Sequence, residues 1–374
     1  MTNAACRIIG QSRAIATLTR AMSHGSVPHA WIFHGPLGVG KFTAALEFAA
    51  LLLDPAVGAE HRAAFAAPAN TDAARLLSAG SHPDLHVIRK ELASQSEFSV
   101  LREKKQTNIP IDLLREFMLG GVVEGKVLDG AVWRTPYRGH GKVFIIDEAE
   151  LLDQYGQNAL LKTLEEPPAH TYIVLVTTRE DRLLPTIHSR CQRVGFVPLS
   201  PAALREWMAA SKPVQDAGLD AAAMTWIERF AEGSPGLVTL AIRFGVHEFA
   251  RDVASPLGQL SRGVFVGGLA GDLSKYIDEC AEAIEKDNKQ ASVEGAKRLA
   301  AAIVLRVLGR HVRDGIERAA REGADDEAER WSALADVLAD ADEQIRRHLN
   351  QKHVLANLTA QWAARSPLVA GAAR

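Results

Sequence analysis

Residues 31–41 read Trp-Ile-Phe-His-Gly-Pro-Leu-Gly-Val-Gly-Lys, and the fold turns on this stretch. Trp31 to His34 is an apolar run of strand length, and Thr43 to Leu53 behind it is a helix, so Gly35 to Lys41 joins a strand to a helix. Glycine at positions 35, 38 and 40 lets the backbone wrap a phosphate. Successive N–H groups and the helix N-terminus supply positive potential, and Lys41 reaches toward terminal phosphates. A glycine-rich turn before a helix is common by itself. This spacing, after a strand and ending in lysine, points to a phosphate-binding loop.

The next position breaks the pattern. Where a hydroxyl residue would hold magnesium, the sequence has Phe42, and Thr43 follows one residue late, turned by about 100° around the helix. Further on, Lys142 to Ile146 is an apolar run ending in Asp147-Glu148, where a metal-binding acid and a water-activating acid belong in such a fold. The candidate nucleotide contacts are therefore Gly35, Gly38, Gly40, Lys41, Thr43 and Asp147. Glu148 is a candidate catalytic acid, working or vestigial. The loop leaves ATP or ADP binding open, and magnesium with it, although the usual ligand is replaced by Phe42.

Working outward, Leu85 to Ile88 and Tyr172 to Thr177 are further runs of strand length, separated by amphipathic segments. The alternation predicts an α/β domain with a parallel sheet. Between its first two strands, Pro55 to Pro83 reads as a surface insertion rich in alanine and punctuated by glycine and proline. Past Pro198 and Pro201 the strand signal stops and helical spacing takes over. Gly233-Ser-Pro-Gly236 reads as a turn between helices, and a second boundary is expected between about 245 and 270, where Pro256, Gly258, Gly263 and Gly267-Gly268 cluster. The expected organisation is a P-loop domain over 1–198, a small helical domain over 199–260 and an all-α domain over 261–374.

Composition narrows the function classes. The chain has 374 residues, 47% hydrophobic and 24% charged, the balance of a globular protein of two or three domains. Its formal charge of -2 provides no global basic field for nucleic acid or membrane, so any DNA contact must be local. Three distant cysteines, Cys6, Cys191 and Cys280, argue against a disulfide framework and a cysteine-rich zinc site, and fit a reducing cytoplasm. Neither a signal peptide nor a membrane span is expected. The thirteen histidines have no metal-ligand spacing such as HExxH, and no Ser-His-Asp arrangement can be placed. The densest basic run, Arg102, Lys104 and Lys105 beside Glu103, reads more readily as a solvated loop than as a DNA contact.

Asn158-Ala-Leu-Leu-Lys-Thr-Leu-Glu-Glu-Pro-Pro168 places Leu160, Leu161 and Leu164 on one helix face, ended by Pro167. With Ile8-Ile-Gly-Gln11, His29-Ala30, the loop at Gly35, Asp147-Glu148-Ala149, Thr177-Thr178 and Leu184-Pro-Thr-Ile-His-Ser189-Arg190-Cys191, this helix resembles the AAA+ clamp-loader family of bacterial replication over roughly residues 5–200. The resemblance implies a P-loop AAA+ domain followed by a helical lid and an all-α collar. It assigns to Arg190, in the Ser-Arg-Cys motif, the role of an arginine projecting into the ATP site of a neighbouring subunit. A guanidinium suits that role, being permanently charged and able to contact phosphate with a planar fork.

Three departures from the family's ATPases stand out: Phe42 after Lys41, no cysteine in the Pro55–Pro83 insertion, and Pro235-Gly236-Leu237 after Gly233-Ser234, where those ATPases place an arginine. They imply a subunit whose own hydrolysis is absent or weak, and no zinc is expected. Ser81-His-Pro-Asp-Leu85 also resembles the branch of the family that keeps Ser-Arg-Cys while its nucleotide loop is degraded. The partners implied are gamma/tau-type ATPase subunits, a delta subunit, the sliding clamp and, through the assembly, primer-template DNA. Two alternatives stay open: an active ATPase in which Thr43, water or another group completes the metal site, and an AAA+ adaptor outside replication.

Overall fold

A computed structural model describes residues 8–23, 27–103, 107–287, 292–347 and 350–366. They form two compact units. One comprises the chain up to Ser211 together with Glu232–Leu237; the other comprises Lys212–Ala231 and the chain from Val238 onward.

The first unit is built on a five-stranded parallel sheet. Its strands are β1 (Ala30–His34), β2 (Leu85–Ile88), β5 (Lys142–Ile146), β6 (Thr171–Thr177) and β7 (Gln192–Gly195), while β3 (Gly120–Val123) and β4 (Lys126–Asp129) pair separately as an antiparallel hairpin. The sheet order is β2-β5-β6-β1-β7. Successive strand residues point to opposite faces, so Trp31, Phe33, Val143, Ile145, Val174 and Val176 enter one core, and Ile32, Phe144, Ile146, Ile173 and Leu175 the other. Because both faces are covered, the strands read as continuous apolar runs rather than alternating ones.

Helix α1 (Ser12–Ser23) and helix α2 (Lys41–Leu53) cover the first face. Phe48 of α2 lies 5.3 Å from the Trp31 ring at a T-shaped angle, and burying such a side chain stabilises by roughly 1.5–3 kcal/mol. The helix Gln154–Glu165 covers the second face through Leu160 and Leu164, with Leu161 packed at the margin. Its start is capped by Asp153, whose carboxylate accepts from the Gly156 N–H, and Pro167 follows its end. Since β1 borders both β6 and β7, the chain leaves it first toward one edge of the sheet and later returns to the other. Loops at the carboxyl ends of strands around such a reversal are where ligands bind in open α/β sheets.

Two stretches differ from the sequence reading. The Pro55–Pro83 segment is more than a surface insertion: it holds the helices Ala59–Ala64 and Asp72–Ser78 and sends Val57 and Phe65 into the first core. The hairpin β3–β4 turns at Glu124-Gly125, both with positive φ, a geometry usually signalled by Asn-Gly or Asp-Gly.

The second unit is helical, with Val246–Leu260, Leu269–Asp287, Val293–Glu322, Asp325–Arg346 and Gln351–Arg365 as its longer elements. Pro256 and Gly258, expected near a boundary, lie inside the first of these helices. Trp362 is fully buried, and its Nε1 donates to Ser261 Oγ at 3.2 Å. Gly315 lies under the Trp331 ring, where a Cβ would come within 2.2 Å of a ring carbon. Alanine would gain about 1 kcal/mol of helix propensity, but overpacking of a core typically costs about 1–3 kcal/mol, so the clash prevails. Gly315→Ala is expected to lower the unfolding midpoint in urea, and an unchanged or raised midpoint would refute the close packing. Among the described residues no helix is long and apolar enough to cross a membrane.

Candidate functional site

The loop between β1 and α2 has each of its carbonyls from Gly35 to Val39 engaged by a donor of the same chain. Lys41 Nζ donates to Gly35 O at 2.7 Å and to Pro36 O at 2.6 Å. Ser234 Oγ donates to Leu37 O at 2.9 Å, and the Gly236 N–H donates to Gly38 O at 2.9 Å. The buried Gln11 amide donates to Val39 O at 3.2 Å and to Val197 O at 2.7 Å, tying the loop to the segment after β7. The turn Gly233–Gly236 therefore sits directly on the loop. At Gly38, φ is +75° and a Cβ would stand 2.5 Å from Ser234 Oγ and 3.0 Å from Gly236 Cα, so glycine is required by conformation and by space.

Lys41 is thus directed at the loop's own carbonyls. Burial pushes its ammonium down to about 8, opposed by Glu150 and Asp147. A folded-state value below the unfolded one means that the unfolded chain binds the proton more tightly. Stability then rises as pH increases from about 8 toward the ordinary value of 10.5. The full effect is at most about 3 kcal/mol. Denaturant titrations across this window should show wild type gaining stability relative to Lys41→Met. A pH-independent difference would contradict the assignment.

Asp147 and Glu148 follow β5, and the parallel register Ile88↔Ile146 carries Arg89 and Lys90 out of β2 beside them. Arg89 Nε lies 3.1 Å from Asp147 Oδ2, an ion-pair contact without hydrogen-bond alignment, and Lys90 Nζ pairs with Glu148 Oε2. The Arg89 guanidinium also lies over the Phe42 ring, 4.2 Å from its centroid. Desolvation raises both carboxyls above their usual range, while Arg89 and Lys90 respectively oppose it. Water tempers the effect on Glu148, whose side chain is 45% exposed against 22% for Asp147. Glu148 itself has a left-handed backbone, φ +53°, a conformation uncommon outside glycine. Thr43 is half-buried in the first turn of α2.

These residues do not offer a magnesium nucleotide its usual partners. Magnesium demands near-ideal octahedral oxygen coordination, whereas Phe42 contributes no oxygen and Asp147 already faces a cation. The acid side of the site continues into Glu150, whose Oε1 accepts from Thr178 N–H at 3.1 Å and Thr178 Oγ1 at 2.5 Å at the end of β6.

Arg190 lies just past the short helix Pro185–His188, at the start of the segment leading into β7. Its side chain is 33% exposed. Nε donates to Glu165 Oε1 at 2.8 Å, Nη2 contacts the same oxygen at 2.5 Å, and Nη1 donates to Thr186 O at 2.9 Å and Ser189 Oγ at 3.0 Å. Glu165 thus holds the guanidinium at the surface. Cys191, next in the chain, packs against the second core and has its thiol pushed up to about 12 by burial, which makes it a packing residue rather than a nucleophile.

Gly35, Gly38, Gly40 and Lys41 therefore share one loop, and Asp147 reaches Phe42 through Arg89, while Arg190 makes its contacts with Glu165, Thr186 and Ser189. Sequence reasoning missed Arg89, Lys90, Ser234, Gly236 and Glu165. A signal existed for the first two: Arg-Lys follows one strand at the same offset at which Asp-Glu follows its neighbour. Of the basic run, Arg102 donates to Ser96 O at 2.6 Å, while Lys104 and Lys105 lie outside the described residues.

A family model described as DNA polymerase III, delta subunit, matches residues 10–200. DNA polymerase III subunit delta' of Pseudomonas aeruginosa is 34% identical over 189 residues, covering 50% of this chain and 49% of the relative. DNA polymerase III subunit gamma/tau of Mycobacterium tuberculosis is 29% identical over 229 residues, covering 61% of this chain and 34% of the relative. The match thus spans about half of the first relative and a third of the second. Among solved structures, a gamma-subunit-related protein of Thermotoga maritima aligns at 19% identity and a TM-score of 0.43 over 94% of this chain and 99% of its own. With the family model covering half of its length, the chain belongs to the DNA polymerase III delta-subunit family of clamp-loader proteins.

Proposed function

We propose that this chain is a delta-prime-type clamp-loader subunit that supplies Arg190 to the ATP site of a neighbouring subunit and does not itself hydrolyse ATP. The observation that carries this reading is the placement of Arg190, half-exposed beyond a short helix and held ready by Glu165. A guanidinium whose only charged partner among the described residues is a surface carboxylate can exchange that carboxylate for a phosphate, since both are anions that accept from its planar fork. Its positive charge would then stabilise charge developing on the transferred phosphoryl group. Glu165 acts as a positioning residue.

In this reading the partners are gamma/tau-type ATPase subunits, a delta subunit and the sliding clamp, and primer-template DNA is engaged through the assembly in the cytoplasm. The degraded loop serves the fold. Phe42 and the ion-paired acids weigh against the second reading, an active gamma/tau-type ATPase, which the longer match to gamma/tau favours.

The test is reconstitution. The purified chain is expected to release no phosphate from ATP, and to co-elute with the ATPase and delta subunits as one complex whose ATP turnover exceeds that of the same mixture without it. Hydrolysis by the isolated chain that is lost in Lys41→Met, or failure to co-elute, would overturn the proposal.

A further inference from the structure

We propose that Arg89 is a resident cation standing in the place of magnesium, so that the acidic end of β5 is compensated by the chain itself and the site takes no divalent metal.

The strand register and two side-chain contacts converge on Arg89. The β2–β5 register, Ile88↔Ile146, fixes Arg89 beside Asp147. Phe42 occupies the position at which a hydroxyl would ligate the metal, and the guanidinium lies 4.2 Å from its ring centroid. Arg89 Nε is 3.1 Å from Asp147 Oδ2. The same strand end delivers Lys90 to Glu148, so two adjacent carboxylates meet two adjacent cationic side chains, the charge that one divalent ion would bring.

The substitution at 42 fits this exchange chemically. A benzene ring has no lone pair for magnesium, but its negative face attracts a guanidinium, which is more weakly hydrated than a metal ion or an ammonium and stacks on aromatic faces. Phe42 is therefore part of an alternative cation site rather than a simple loss of a ligand. Magnesium would have to displace a cation covalently attached to the fold, and would find no hydroxyl oxygen in return.

The inference stands whether or not Arg190 acts on a neighbour, and its test involves no ATPase. The full-length chain is titrated into Mn2+, with the free-metal electron paramagnetic resonance signal recorded, and Mg2+ is used as competitor. Wild type is expected to leave the signal unchanged. A loss of signal that Mg2+ reverses and Asp147→Asn abolishes would overturn the proposal.

A thermal-unfolding cycle over Arg89→Met, Asp147→Asn and the double variant provides the second arm. Arg89→Met is expected to lower Tm by exposing uncompensated acids, and adding Asp147→Asn should recover most of that loss, a non-additive result. Additive shifts would overturn the proposal. Should Arg89→Met fail to fold, Arg89→Lys replaces it in the cycle: keeping charge but losing the planar stack, it should show a smaller drop, again relieved by Asp147→Asn. The metal titration needs no variant at Arg89, so it decides the matter even if Arg89→Met does not fold.

Discussion

Arg190→Ala is expected to leave the chain folded and assembled while removing rapid ATP hydrolysis at the one site it serves. The two halves of this result have different magnitudes. In the isolated chain Arg190 loses a partly exposed ion pair with Glu165, and such pairs contribute about 0–1 kcal/mol. At a neighbour's nucleotide, an arginine supplied in trans typically accounts for about 10³–10⁵ in rate. The drop in total turnover is limited by the share of hydrolysis that the served site contributes. Arg190→Lys keeps the charge but loses the bidentate fork, and should fall between wild type and alanine. Unchanged turnover in Arg190→Ala, with co-elution preserved, would remove Arg190 from the mechanism.

Gly35→Ala should be the most destabilising change in the loop, costing about 2–4 kcal/mol. Gly35 has φ +142°, and a Cβ there would stand 2.1 Å from the Phe196 carbonyl oxygen and 3.0 Å from its carbon. Those atoms are backbone and cannot rotate away. The obstruction reaches the segment that Gln11 also holds, through Val197, so relief would disturb the link between the loop and the end of β7. Urea unfolding measures the effect. A midpoint equal to that of wild type would show that the loop tolerates side chains and is not a structural joint.

What the sequence made legible was whatever is encoded locally. Leu85–Ile88 and Lys142–Ile146 are strands with the expected bounds, β1 and β6 each begin one residue earlier than read, and α2 begins at Lys41 rather than Thr43. Their apolar runs follow from burial on both faces. Strand β7 escaped because only one of its residues is buried: Val194 is buried, whereas Gln192, Arg193 and Gly195 are exposed, so its four residues have no apolar run. The same locality limited the site. Gly233–Gly236 was readable as a turn between helices, but its seat on Leu37 and Gly38 depends on a contact almost two hundred residues away in sequence. Phe42 was legible as a missing oxygen. That it faces a guanidinium depended on strand register, which fixes Arg89 beside Asp147 and leaves no mark in either segment alone.

The central claim is that this chain acts on ATP held by a neighbour through Arg190. It is tested most directly by rapid-quench measurement of the fast phase of ATP hydrolysis in the reconstituted complex, comparing wild type with Arg190→Ala at equal assembly. The account predicts that the fast-phase amplitude falls by one site's worth of phosphate per complex while the remaining sites keep their rate. An amplitude and rate unchanged from wild type would contradict it.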